Sequence, residues 1–289
     1  MIESCSPALR DKLQSLHKVI GYQNIFDDHW LRSYLSFSNP STTQLQAICQ
    51  LRYWLYVCVL DRFVQIDTMH EGSAKTTIDT NLSVINNQFS NYAKSRSNNF
   101  DEFGINQYFF NQTKIDAFAL GLESTPHRKQ KWDQDILYIG ARTEGEIFYF
   151  STLGYDINKI DCFDLYSYSS FVSIGDMHDL PCVSSSYDTC LLTHCITYSE
   201  QPLLAIQEVY RLLKPGGRLF ISISLDNSVS STKQKLDSER PKTGADNILS
   251  IQGYVELVES SPLDFKHSNV LISRSNPSMA TVVFTKPYA

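Results

Sequence analysis

The chain has 289 residues, 42% of them hydrophobic and 19% charged, and a net charge of −6. That length suits one large domain or one domain with an appendage, and the apolar share is enough to build a core, which excludes disorder of the whole chain. The acidic balance does not favour a phosphate backbone as partner, which needs a basic face, so no nucleic-acid partner is expected, with a local basic groove left open.

Residues 1–128 are rich in Asn, Gln, Ser and aromatics and show no regular strand–helix alternation. Pro40-Ser41-Thr42 reads as the cap of a helix running through Leu45, Ile48, Leu51, Leu55, Cys58 and Val59 toward Phe63; the three-to-four spacing makes one apolar face. Thr77–Tyr92 predicts a second helix, Ser95–Phe103 a loop and Asn106–Leu122 a third helix. Residues 1–128 are therefore expected to form a mainly helical N-terminal region that caps a substrate pocket. Its aromatic patches, Tyr53-Trp54 and Tyr108-Phe109-Phe110, read as core before they read as a ligand cage. The polar stretch Thr125–Lys131 marks a boundary.

Residues 129–289 have a different texture, with short apolar runs alternating with helical patterns. Strands are predicted at Ile136–Ile139, Ile160–Phe163, Phe171–Gly175, Tyr187–Thr193 and Arg218–Leu225. Helices are predicted at Thr143–Leu153, closed by Gly154, at Gln201–Leu213, ending in Lys214-Pro215-Gly216-Gly217, and at Ile248–Val258. A polar loop fills 226–245, and two last strands, Phe265–Ser273 and Met279–Lys286, are joined at Asn276-Pro277-Ser278. The alternation predicts an α/β fold: a Rossmann-like, doubly wound, mostly parallel sheet closed by an antiparallel C-terminal hairpin.

Gly140 ends the first of these strands and a helix starts near Thr143, so free N–H groups and the helix dipole can meet an anion there. The second strand ends in Asp164, 24 residues on, placed for a ribose diol, with Asp161 as the competing acid. The third leads into Gly175-Asp176-Met177-His178-Asp179-Leu180-Pro181, where Asp176 could accept from an adenine amino group and Met177 pack on the ring. Asp179 is the alternative acid.

From residue 135 to about 225, and more loosely to 287, the chain resembles the class I S-adenosylmethionine-dependent methyltransferases, in particular the group acting on small molecules. The resemblance rests on the Gly175–Pro181 stretch, on Ser186-Tyr187-Asp188-Thr189-Cys190-Leu191-Leu192-Thr193-His194, and on Glu208-Val209-Tyr210-Arg211-Leu212-Leu213-Lys214-Pro215-Gly216-Gly217. It implies S-adenosyl-L-methionine as cofactor. Gly140, Arg142, Thr143 and Glu144 would surround its methionine part, Asp164 and Leu165 its ribose, and Asp176 and Met177 its adenine. Thr193 and His194 would face cofactor and substrate. His194 is the leading candidate for a general base, with Tyr198 covering the transfer site. Three residues depart from the family pattern: Tyr138 stands where an acid is usual, and Arg142 and Glu144 where glycines are usual. Arg142 and Glu144 are read either as replacement contacts to the cofactor's carboxylate and amino group or as a solvated pair. Lys214 and Arg218 are read as solvated.

The seven cysteines are odd in number and form no C-x-x-C, which predicts reduced thiols, no metal site and a cytoplasmic location. Met1–Arg10 has no apolar signal core, and the longest apolar run, Trp54–Leu60, is too short to span a bilayer. The expected partner is a small-molecule or peptide-derived substrate; the oligomeric state stays open, a homodimer included. Two further readings stay open. One is a non-catalytic scaffold or cofactor sensor of the same fold. The other is a nicotinamide-dependent oxidoreductase, disfavoured because the turn lacks Gly-x-Gly-x-x-Gly.

Overall fold

The structure is a computed structural model. It describes residues 24–38, 40–53, 56, 64–65, 130–141, 143–193, 195–196, 199, 201–224, 251–272 and 279–288, together with Asp11, Gln14 and Lys18. The helices expected at 77–92 and 106–122, the loops at 95–103 and 226–245, and the turn at 276–278 lie outside the described residues, as do Trp54 and 108–110. In chain order the elements are α1 (Asp28–Phe37), α2 (Thr42–Tyr53), β1 (Val64–Gln65), β2 (Ile136–Ile139), α3 (Glu144–Thr152), β3 (Ile160–Asp164), β4 (Tyr166–Ser167) and β5 (Ser173–Ile174). They continue with β6 (Tyr187–Thr193), α4 (Pro202–Leu212), β7 (Leu213–Ser224), α5 (Ile251–Glu259), β8 (Lys266–Ile272) and β9 (Met279–Thr285). They fall into two compact units. Unit 1 takes the part up to Gln112 with Arg142–Asn158 and Tyr166–Ile174; unit 2 takes Thr113–Ala141, Lys159–Leu165 and Gly175–Ala289.

In unit 2 the strands stand in the order β3-β2-β6-β7-β9-β8. β2 pairs in parallel with β3 on one side and β6 on the other, and β6 pairs in parallel with β7. β9 runs antiparallel to both β7 and β8, so the chain closes on the expected hairpin. All four residues of β2 are buried, as a central parallel strand requires when both sheet faces are covered. The α4 helix starts with Pro202, whose missing N–H is no loss in a first turn, and it buries Ala205, Ile206, Val209 and Leu212. These side chains share one core with Leu137, Ile139, Cys190, Leu192, Leu219, Ile221, Val282 and Phe284 of the sheet and Tyr254, Val255 and Val258 of α5. Each fully buried Leu, Ile or Val side chain contributes roughly 1.5–3 kcal/mol of hydrophobic stabilisation.

The segment expected to end the Gln201–Leu213 helix, Lys214–Gly217, belongs to the start of β7. Leu213 already pairs with Tyr187, and a register shift separates that pair from the regular ladder. Gly216, at φ +75°, turns its N–H toward Lys286 O at 2.9 Å, while Lys286 N–H donates to Gly217 O at 2.8 Å. The double glycine is thus a bulge hydrogen-bonded to the end of β9 rather than a free turn. At the same end of the sheet, Lys214 bridges Asp135 and Asp188 at 2.6 and 3.1 Å. Arg218 is buried, with its guanidinium 3.4 Å from Thr189 Oγ1. Neither side chain is the solvated one expected from sequence.

In unit 1, Asp27 caps α1 by accepting from Trp30 N–H at 3.0 Å, and Leu31 and Leu35 face inward. This helix was not foreseen. At α2, Ser41 and Gln44 form a reciprocal cap, with Gln44 N–H donating to Ser41 Oγ at 3.3 Å and Ser41 N–H to Gln44 Oε1 at 2.8 Å. The α3 helix is buried from Glu144 through Phe150 and stops at Gly154, φ +85°. A helix buried on every side has no polar face to give to water, so its two acids must be matched from within. Among the described residues no helix is long and apolar enough to cross a membrane.

Candidate functional site

The strand order of unit 2 reverses at β2: the chain goes from β2 to β3 on one side and later returns to β6 on the other. In open α/β sheets ligands bind at the carboxyl ends of the strands at such a switch point. Here those ends are Ile139-Gly140 and Thr193-Cys195. Gly140 sits at φ +82°, and a Cβ on it would lie 2.6 Å from Cys195 Cβ and 3.3 Å from Thr193 O. Both the left-handed backbone and the lack of room demand glycine. Gly140 N–H donates to Phe163 O at 2.9 Å, Thr193 Oγ1 donates toward Gly140 O at 3.2 Å, and the Cys195 thiol reaches Ile139 O at 3.5 Å. The ends of β3, β2 and β6 are therefore stitched together around the turn.

Asp164 closes β3, half-buried, and its Oδ1 accepts from Leu165 N–H at 2.7 Å. The competing acid, Asp161, accepts from Tyr187 OH at 2.8 Å, further back along the strand. Burial, with the Cys182 and Asp161 hydrogen bonds, pushes the Tyr187 hydroxyl far above its ordinary range, so it serves as a donor. Gly175 opens the next loop with its N–H on Asp164 O at 3.0 Å, and a Cβ there would come within 2.7 Å of Phe163.

Within that loop Asp176 Oδ1 accepts from His178 N–H at 3.0 Å and lies 2.5 Å from His178 Nδ1. His178 Nε2 is 2.6 Å from Ser199 Oγ, and Ser199 Oγ accepts from Gln201 N–H at 3.0 Å. The far side of the loop is clamped by α4. Glu208 accepts from Leu180 N–H at 2.9 Å, and Arg211 pairs with Glu208 while donating to Leu180 O and Cys182 O. Met177 lies in the core cluster with Phe163 and Leu180. Asp179 is exposed.

In unit 1, Thr143 precedes α3 as its buried N-cap residue, without a side-chain hydrogen bond to the helix. Glu144 has a relative exposure of 0%, so it is not the solvated residue that sequence allowed. Its two oxygens accept from Arg52 Nε at 2.7 Å and Nη2 at 3.0 Å, and from Ser169 Oγ. Arg52 is itself fully buried and also donates to Ile25 O at 2.6 Å and to Asp28 Oδ1 at 2.7 Å. Burial alone would lower the Arg52 pKa; the charge and hydrogen bonds of Glu144 outweigh it and hold the guanidinium protonated. The sequence carried a signal for Arg52, a lone cation one turn past Ile48 on an apolar helical face, and for Ser199 none.

Arg142, His194 and Tyr198 lie outside the described residues. Among the described residues no group of three or more His, Cys, Asp or Glu side chains is placed to hold a metal ion.

Residues 152–221 match a methyltransferase-domain family model. A stretch of 49 residues, 17% of this chain, is 45% identical to the biotin biosynthesis bifunctional protein BioHC of Teredinibacter turnerae; the match spans 9% of that protein's length. Among solved structures, the chain is similar to the Burkholderia thailandensis 1,6-didemethyltoxoflavin-N1-methyltransferase, with a TM-score of 0.47 and 14% identity over 78% of this chain and 95% of that one. It is also similar to a sarcosine dimethylglycine methyltransferase candidate from Galdieria sulphuraria, with a TM-score of 0.43 and 15% identity over 62% of this chain and 85% of that one.

Proposed function

We propose that this chain, which carries a class I S-adenosylmethionine-dependent methyltransferase domain, transfers a methyl group to an oxygen, nitrogen or carbon of a small-molecule or peptide-derived acceptor. The observation that carries the reading is the family match across 152–221, which runs from before β3 into β7 and so covers the loops that hold Asp164 and Asp176.

The residues of unit 2 fit the cofactor's nucleoside end. The Gly140 cradle is one that any Cβ would fill. Asp164 is half-buried at the end of β3, where a carboxylate can receive two ribose hydroxyls, and Asp176 is an acceptor suited to an exocyclic amine. We assign Gly140, Asp164, Leu165, Asp176, Met177 and Thr193 to this role, with Arg142 and Thr143 serving the methionine end. Glu144 is left out, because its carboxylate is already engaged by Arg52 and Ser169 inside unit 1.

When bound, S-adenosylmethionine supplies a sulfonium methyl group and a thioether leaving group. The protein's task is then to hold the acceptor atom in line, exclude water and take up any proton the acceptor carries. His194 and Tyr198 are the proposed residues for the last step. Residues 1–128 are assigned to acceptor recognition. A cytoplasmic location fits Cys49, Cys162, Cys182, Cys190 and Cys195 being free thiols.

Calorimetric titration of the full chain with S-adenosylmethionine and S-adenosylhomocysteine tests the reading. Saturable micromolar binding of both is expected. Absence of heat at millimolar ligand would favour the non-catalytic scaffold instead, a reading that the sealed Glu144 at the third glycine position motivates.

A further inference from the structure

We draw no further inference here: the strongest candidate, the half-buried Cys195 thiol packed against the Gly140 turn just past the carboxyl end of β6, is a lone cysteine beside the site already described, and no second observation among the described residues points to a ligand for it.

Discussion

Two acids that follow strands β2 and β5, one opening helix α3 and the other in a loop, are held in opposite ways. Glu144, in unit 1, is fully buried, with both oxygens occupied by a buried guanidinium and a serine hydroxyl. Asp176, in unit 2, keeps part of its surface and is oriented by an imidazole and, through it, a hydroxyl. The first arrangement consumes the carboxylate, because a buried ion pair is a closed structural unit whose removal leaves an uncompensated charge. The second leaves the carboxylate 12% exposed, as its proposed role toward a ligand requires. A sequence shows two acids in glycine-containing turns; only the identity and burial of their partners separates structure from function.

The largest effect should come from opening the sealed pair. Glu144→Gln keeps the shape but leaves the buried Arg52 charge to the partly exposed Asp28 as counter-charge, and we expect a loss of about 3 kcal/mol in urea unfolding. Arg52→Met combined with Glu144→Met should recover most of that loss, since apolar residues of similar volume replace buried ion pairs without penalty. A Gln variant that costs less than about 1 kcal/mol would behave like an exposed pair and would remove the contrast with Asp176.

Next in size is Gly140→Ala. Its φ of +82° and the 2.6 Å approach to Cys195 Cβ act together. Overpacking and backbone strain predict destabilisation of roughly 1–3 kcal/mol and a loss of S-adenosylhomocysteine affinity measured by calorimetry. Adding Cys195→Gly removes the contact and leaves the strain, so the double variant should regain only part of the stability. Full recovery would show that space alone, not backbone conformation, demands glycine here.

The sheet could be read from the chain because its strands are continuous apolar runs. Ile136–Ile139 and Tyr187–Thr193 match in extent, and the predicted closing hairpin is present as β8 and β9. The α1 helix escaped because its apolar stripe is only Leu31 and Leu35, although Asp27 ahead of them was a usable cap signal. The start of β7 was misread because a double glycine signals a turn locally, whereas Gly216 and Gly217 are satisfied by Lys286, about seventy residues on. Partners at that separation are tertiary facts. The same reason hid Arg52 behind Glu144, 92 residues apart, and Ser199 behind His178, 21 apart.

Asp164 sharpens the comparison from the ligand side. Its carboxylate is half-buried, with Oδ1 on the Leu165 N–H. Asp164→Asn should weaken S-adenosylhomocysteine binding by roughly 10–100-fold, the worth of a hydrogen bond to a charged group, with little change in melting temperature. The reverse pattern, a drop in stability with unchanged affinity, would move Asp164 into the same structural class as Glu144.

The smallest effect concerns a thiol beside the sealed pair. Burial pushes the Cys49 pKa well up, and the nearby Glu144 charge adds to it. The neutral thiol is therefore favoured in the folded state relative to the unfolded one. The unfolded chain gives up this proton first as pH rises, so the contribution to stability is complete below the ordinary thiol range and is lost above it, as pH climbs toward the higher folded value. Unfolding measured between neutral and strongly alkaline pH should show a falling limb, and Cys49→Ala should flatten it by the share that Cys49 supplies, the similarly buried Cys190 supplying another. Cys195, half-buried beside the Gly140 turn, should react with a thiol reagent in the native protein, while Cys49 reacts only on unfolding. Native-state labelling of Cys49 at a rate near that of Cys195 would mean that the Arg52–Glu144 interior opens on its own, and the contrast between the fully buried Glu144 and the partly exposed Asp176 would fall with it.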